Sequence, residues 1–211
     1  MMNKILIEAA GDATTEYHFL LAIIEKFFAE KNVEFVFMRG IDNLFGETIL
    51  NVIKQAKDND DGILVLVDAD TAEKGYGFAK RKSDIEGKAE ECGLNFPYFI
   101  YPNNEDDGDV EVLMEAAARR TLHKTFFDCF EDFEKCVSGV KNERGEVLYN
   151  LPCRKEKLYS YFSMQKLESI GKGKTKPRLK SGDWCFGNSD YWNLEVDALN
   201  PLVRFFKENL R

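Results

Sequence analysis

The chain is expected to adopt an α/β fold, a mainly parallel sheet with helices on both faces and a helical cover towards its C-terminal end. Three observations predict it. Aliphatic runs near Ile5, Phe35, Leu64 and Phe99 alternate with segments of helical period, the order that gives a parallel sheet with right-handed crossovers. Gly62 is followed by five aliphatic residues, Ile63 to Val67, as in a strand buried on both faces. Two of the runs end in acid, the first at Glu8 and the third at Asp68-Ala69-Asp70, at strand ends where open α/β sheets bind ligands.

Taken in order, Lys4 to Glu8 is the first strand. Thr14 or Asp12 caps a helix whose Phe19, Leu20, Ile23, Ile24, Phe27 and Phe28 recur at helical spacing. Val33 to Met38 is the second strand and Asn43 to Lys57 a helix. The turn from Asp58 to Gly62 feeds the third strand, Ile63 to Val67. A polar, glycine-bearing loop, Thr71 to Gly77, precedes a charged helix that ends near Cys92. Pro97 to Tyr101 is the fourth strand, and after the loop from Pro102 to Gly108, Asp109 caps a helix opening Val110-Glu111-Val112. Beyond Arg120, Phe126, Phe127, Phe130 and Phe133 share one helix face. Lys155 to Gln165 forms a further helix and Leu199 to Leu210 the last, whereas Gly171 to Lys180 is too rich in glycine and lysine for a regular element. These spans divide into a sheet core over residues 1–120 and a mainly helical region over 121–211, packed on the core as one compact unit.

Composition narrows the function classes. With 211 residues, 44% hydrophobic and 31% charged, the chain has the make-up of a globular protein. No apolar stretch reaches the roughly 20 residues that span a bilayer, and Met1 to Lys4 lead straight into a strand without the apolar segment of a signal peptide. No membrane partner and a cytoplasmic location are therefore expected. Five scattered cysteines without a C-x-x-C pair argue against a zinc site or disulfide framework. The two histidines, His18 and His123, fall in helical segments with no neighbour placed to share a ligand. Any metal is thus expected on oxygen, which favours Mg²⁺ or Mn²⁺.

Net charge is −8, which argues against broad nucleic-acid affinity. Yet from Leu151 to Lys180 nine basic residues face two acidic ones. Lys172, Lys174, Lys176, Arg178 and Lys180 cluster in this stretch, either as a solvated loop or as a docking site for phosphate or nucleic acid.

Ionised carboxylates beside a buried strand are costly unless a cation compensates them. Glu8, Asp68 and Asp70, brought together at adjacent strand ends, are able to hold Mg²⁺ while leaving positions for water and phosphate oxygens. In extended conformation Asp68 and Asp70 project to one side. The plainer alternative is that the two aspartates start a turn and Glu8 is an exposed strand end. A third reading takes Asp68-Ala69-Asp70-Thr71 as the D-x-D-x-T string of haloacid-dehalogenase-like phosphatases, although there the motif usually opens the fold.

At Glu8 with Asp12, and at Asp68 with Asp70, the chain resembles the Toprim family, the metal-binding domain of topoisomerases, primases and the overcoming-lysogenization-defect nucleases. The likeness to small stand-alone Toprim-related proteins extends through Pro102-Asn103, Gly108 to Glu111 and the Trp192 to Phe206 segment with Pro201-Leu202. It implies a Rossmann-like fold and a Mg²⁺- or Mn²⁺-dependent nuclease or phosphotransferase acting on a phosphate ester, nucleic acid foremost. Glu8, Asp68 and Asp70 would then be catalytic metal ligands, with Asp12 and Glu111 in or near the same shell. For Glu111 a place in the first helical turn, favoured by the dipole, is the alternative. Where the family pattern has glycine after the first-strand acid this chain has Ala9, with Gly11 nearby, which weakens the case for close backbone approach to a phosphate. A non-catalytic module binding metal, nucleotide or a protein partner fits the same residues.

Overall fold

The computed structural model describes the backbone of residues 1–166 and 175–211 and the side chains of 1–166 and 178–211. Its centre is a wholly parallel sheet of β1 (Asn3–Ile7), β2 (Val33–Phe37), β3 (Gly62–Asp68) and β4 (Tyr98–Tyr101), in the order β2-β1-β3-β4. β1 and β3 are the central pair, with Ile7 in register beside Leu66. The strand order reverses between them, so the crevice at their carboxyl ends is the topological switch point of the sheet.

Helices cover both faces. Leu6, Val65, Val67 and Ile100 point to one side, where they bury Ile49 and Ile53 of α2 (Glu47–Asp58) and Ile85 of α3 (Phe78–Glu91). Ile5, Ile7, Leu64, Leu66 and Phe99 point to the other, against Phe19 and Ile23 of α1 (Thr15–Phe27) and Leu113 and Met114 of α4 (Val110–Ala117). This alternation follows from the two-residue period of a strand.

The C-terminal helices α5 (Lys124–Val137), α6 (Arg154–Ser163), α7 (Thr175–Ser181) and α8 (Asn200–Asn209) follow. Phe127, Leu158, Tyr161, Phe162, Leu202 and Phe206 enter the cluster that already holds α1 and α4. Trp184, Phe186 and Trp192 fill it further, and the Trp192 indole N–H donates to the Trp184 carbonyl at 2.8 Å. Rings of this size bury ~150–250 Å² each, which makes them the largest apolar contributors to the cover. Asn3, wholly buried, ties the ends together: its Oδ1 accepts the Arg211 N–H (2.9 Å) and its amide donates to the Arg211 carbonyl (3.1 Å).

Several expected boundaries move. The helix predicted from Asn43 begins at Glu47, because Ile41–Asn43 forms a short 3₁₀ turn instead. Thr14, not Asp12, caps α1, its hydroxyl accepting the Tyr17 N–H at 3.4 Å. His123 stands just ahead of α5, its Nε2 2.9 Å from the Asp190 carbonyl. Within the segment expected to be irregular, Thr175–Ser181 is helical. Pro177 does not prevent this, since it falls in the first turn, where its missing N–H has no intrahelical partner to lose. Among the described residues no helix is long and apolar enough to cross a membrane.

Candidate functional site

Glu8 follows the last residue of β1, and Asp68 ends β3. The Asp68 backbone N–H donates to Glu8 Oε1 at 2.8 Å. Asp68 Oδ1 in turn accepts the N–H of Val110, the first residue of α4, at 2.9 Å. A helix N-terminus offers unpaired N–H groups and the positive end of its dipole, so it favours an anion there. Asp109 does not supply the expected cap to α4. Its carboxylate lies 3.2 Å from Arg154, and Asp68 takes its place on the helix.

Burial nevertheless governs both acids. It raises the Glu8 carboxyl above its ordinary range, against the pull of the Asp68 N–H and the Arg81 charge. It raises Asp68 further, helped by the charges of Glu8 and Glu111. A third acid, not anticipated from the sequence, joins them. Glu16, in the first turn of α1, is pushed well above its ordinary range by burial and then by Asp68 and Glu8, with only the Ala9 N–H acting strongly the other way. Among the described residues none of Glu8, Glu16 and Asp68 has an ion-pair partner. The available signal was positional, since α1 starts just past β1 and its first turn returns over the strand end.

Tyr101, the last residue of β4, completes the group. It is 0% exposed, and among the described residues its hydroxyl has no hydrogen-bond partner. Burial, then the nearby charges of Glu16, Asp68, Glu8 and Glu111, hold its proton on well above the ordinary phenol range. Leaving such a group unsatisfied costs about 1–3 kcal/mol.

The other predicted residues divide. Glu111 belongs to the group: its side chain is 13% exposed, its charge reaches Asp68 and Glu16, and Lys155 Nζ lies 3.3 Å away. Asp70 is close enough for its charge to reach Glu8, yet it does not share the extended geometry of Asp68. Its φ is +59°, and its N–H and carbonyl form an antiparallel bridge with Gly108 (2.8 and 2.9 Å). This turn hands its carboxylate to Arg81 Nη2 (3.1 Å) and Lys74 Nζ (3.2 Å). Arg81, only 5% exposed, also donates from Nε to the Asp68 carbonyl (3.0 Å), so one guanidinium braces both aspartates. Asp12 is not brought to the cluster. It is exposed and lines a groove with Tyr17, Phe35 and Phe37, on the far side of α1 towards β2. Asp107, in the loop from Pro102 to Gly108, accepts the Phe78 N–H at 2.7 Å and the Ala72 N–H at 3.3 Å, and so ties the two loops beside the site.

The basic stretch is largely accounted for by these acids. Arg154 and Lys157 pair with Glu115 at 2.9 and 2.5 Å, and Lys155 pairs with Glu111. Arg178 is engaged with Asp183 and with Cys185 Sγ, while Lys180 is exposed. Lys172, Lys174 and the side chain of Lys176 lie outside the described residues. α7 leads to Gly182, where a Cβ would stand 2.4 Å from the Thr14 carbonyl carbon, so the basic helix ends against the turn that carries Glu16.

The donor set is all oxygen, suited to a hard divalent cation held by one or two carboxylates and completed by water. Among the described residues no three acidic, histidine or cysteine side chains are already arranged to ligate one ion. The orphaned Tyr101 hydroxyl and the unpaired carboxylates around it fit such a cation better than they fit a plain buried core.

Residues 2–211 match the model of a family described as protein of unknown function DUF3226. No curated protein and no solved structure matches the chain.

Proposed function

The chain belongs to the DUF3226 family, whose description carries no activity, and from the acidic site we propose a cytoplasmic, divalent-cation-dependent protein that cleaves or transfers a phosphate ester. The observation that carries this reading is the buried Tyr101 hydroxyl, without a hydrogen-bond partner among the described residues and set among Glu8, Glu16, Asp68 and Glu111. Three of those carboxylates, Glu8, Glu16 and Asp68, have no ion-pair partner among the described residues. Their mutual repulsion in a half-buried crevice is relieved either by protons or by a metal ion.

Asp68 and Glu8 would hold the ion, with Glu16 beside them. Mg²⁺ commonly takes one or two protein carboxylates and leaves its other positions to water and substrate phosphates, so a preassembled cage of three ligands is not required. When bound, the ion would polarise a phosphoryl oxygen and lower the pKa of a bound water. The chain's own contribution is orientation. The Val110 N–H fixes one oxygen of Asp68, the Asp68 N–H fixes Glu8, and Arg81 fixes the strand end on which both depend. Tyr101 keeps its proton and is able to donate it to a water or substrate oxygen in the crevice. The carboxyl left protonated once Asp68 and Glu8 hold the ion, that of Glu16, would be suited to handing a proton to the leaving oxygen.

Two features support this reading over the haloacid-dehalogenase-like one. Both carboxylate oxygens of Asp70 are taken by Lys74 and Arg81, which leaves none for acid–base work. The site also draws acids from β1, β3 and two helices rather than from one D-x-D string. The Toprim-like order of Glu8 before Asp68 and Asp70 points the same way. The test is calorimetric titration of Mn²⁺ into wild type and Asp68→Asn, followed by a panel of labelled DNA and RNA substrates with Mg²⁺. No Mn²⁺ binding by the wild type at millimolar concentrations would refute the metal reading. Binding without turnover of any substrate would favour the non-catalytic module.

A further inference from the structure

Beside the acids stands an exposed aromatic ring that the chemistry above does not use. Tyr76, in the loop between β3 and α3, is 45% exposed. The Arg81 guanidinium lies over its ring, 4.8 Å from the centroid. That guanidinium is the one that braces Asp70 at 3.1 Å and the Asp68 carbonyl at 3.0 Å. Two contacts in series therefore link the ring to the Asp70 carboxylate and, through the Asp68 carbonyl, to the end of β3.

The ring is also held still. The Tyr76 N–H donates to the Thr71 carbonyl (3.2 Å) and the next N–H, of Gly77, to Ala69 (3.0 Å). Asp107 clamps both ends of the loop through Ala72 and Phe78. Gly77 sits at φ +104°, and a Cβ there would lie 2.8 Å from Asp107 Oδ1, so the clamp itself depends on glycine. A ring fixed at its backbone, occupied by a buried cation and exposed to solvent is preorganised for a flat partner.

From this placement we infer that Tyr76 is a stacking platform for a nucleobase whose phosphate occupies the acidic crevice, which makes the substrate a nucleotide or a single-stranded nucleic acid. The inference rests on the reading of the crevice as a phosphate-ester site. It also answers the charge problem. A chain of net charge −8 gains little from general attraction to phosphates, whereas base–aromatic stacking needs no positive field and accepts any base. Lys74, exposed and paired with Asp70, stands at the same rim to meet a flanking phosphate.

The experiment measures fluorescence anisotropy of a labelled deoxythymidine oligonucleotide and of an abasic oligonucleotide of equal length, with Ca²⁺ in place of Mg²⁺. Wild type should prefer the base-bearing strand by about tenfold, the order that one stacked base supplies. Tyr76→Ala should lose that preference while leaving the abasic affinity and Mn²⁺ binding unchanged, and Tyr76→Phe should keep it. Equal binding of the two strands by wild type, or an undiminished preference in Tyr76→Ala, would overturn the inference. Because Mn²⁺ binding is read on the same proteins, failure of the stack with Mn²⁺ still bound is distinct from failure of the metal reading.

Discussion

The Asp68 N–H donates to Glu8 Oε1 at 2.8 Å, so the acid that ends β1 is held in place by the backbone of the acid that ends β3. The bond spans the sheet's switch point and makes the two carboxylates one unit. Each is nevertheless raised by burial, and the charge of Glu8 raises Asp68 further. The unit is organised but electrostatically unsatisfied, which is the condition a cation or a proton relieves.

Glu8→Gln separates the geometry from the charge. The amide oxygen still accepts the Asp68 N–H, while the repulsion with Asp68 and Glu16 disappears. Metal-free protein should therefore become more stable, by about 1 kcal/mol, as one charge repulsion is relieved. Mn²⁺ should stabilise wild type far more than the variant. Thermal unfolding with and without Mn²⁺ checks both; a variant that is destabilised without metal would show that Glu8 is structural.

The same acids set a pH dependence. Glu8, Glu16 and Asp68 all have folded-state pKa values above their ordinary ones of 4.5, 4.5 and 3.8. The folded protein then binds more protons than the unfolded chain, so stability falls as pH rises. The loss begins as pH climbs through the ordinary carboxylate range and continues until the raised folded-state values are passed. Glu115, held low by Lys157 and Arg154, works in the opposite sense. The difference between wild type and Asp68→Asn isolates the site: metal-free wild type should lose melting temperature more steeply from weakly acid to neutral pH. Millimolar Mg²⁺ should flatten the wild-type profile. Parallel profiles would mean that Asp68 carries an ordinary pKa.

The sheet and two of its acids were legible because their signals are local. Five aliphatic residues after Gly62 need only their neighbours to be read as a buried strand, and Asp68 follows directly. The rest of the site depends on tertiary approach. Glu16 in a first turn reads as a favourable dipole contact until α1 is laid over β1. Asp109 satisfies the local rule for a cap, yet Asp68, forty-two residues before Val110, accepts the Val110 N–H instead. At Asp70 the extended geometry expected of the D-x-D spacing gives way for a local reason: the backbone turns to φ +59°, and the side chain goes to Arg81. Tyr101 carried no signal beyond its place at a strand end. What marks it is that its hydroxyl has no partner among the described residues, which no sequence pattern encodes.

Gly182 links the C-terminal cover to the site. Its φ is +75°, and an added Cβ would meet the Thr14 carbonyl carbon at 2.4 Å and the Thr15 nitrogen at 2.6 Å. Both obstacles are backbone atoms at the start of α1, so they yield only if the helix moves. Gly182→Ala should destabilise by roughly 1–3 kcal/mol, from positive-φ strain together with displacement. It should also weaken Mn²⁺ binding through Glu16, although position 182 is not in the crevice. Chemical denaturation with a parallel Mn²⁺ titration measures both, and unchanged stability would mean that the loop moves aside freely.

Tyr101→Phe bears most directly on what the crevice is for. If the hydroxyl is only a packing accident, removing it deletes an unsatisfied buried group at almost no change in volume. Stability should then rise by about 1 kcal/mol, the low end of the cost of such a group, with nothing lost. If the hydroxyl awaits a bound oxygen, the same gain appears in metal-free protein, but ligand binding suffers. The stabilisation conferred by Mn²⁺, or by Mn²⁺ with a phosphate ester, should then be smaller than in wild type. The phenol is fully buried at the end of β4 and held protonated by burial and the surrounding acids, so it keeps its proton throughout the working pH range. Its effect should therefore be independent of pH between weakly acid and weakly alkaline buffers, unlike that of Asp68→Asn. Melting curves of the two variants, with and without Mn²⁺, separate the cases, and a Tyr101→Phe protein that gains stability yet keeps the full Mn²⁺ response would remove the hydroxyl from the site.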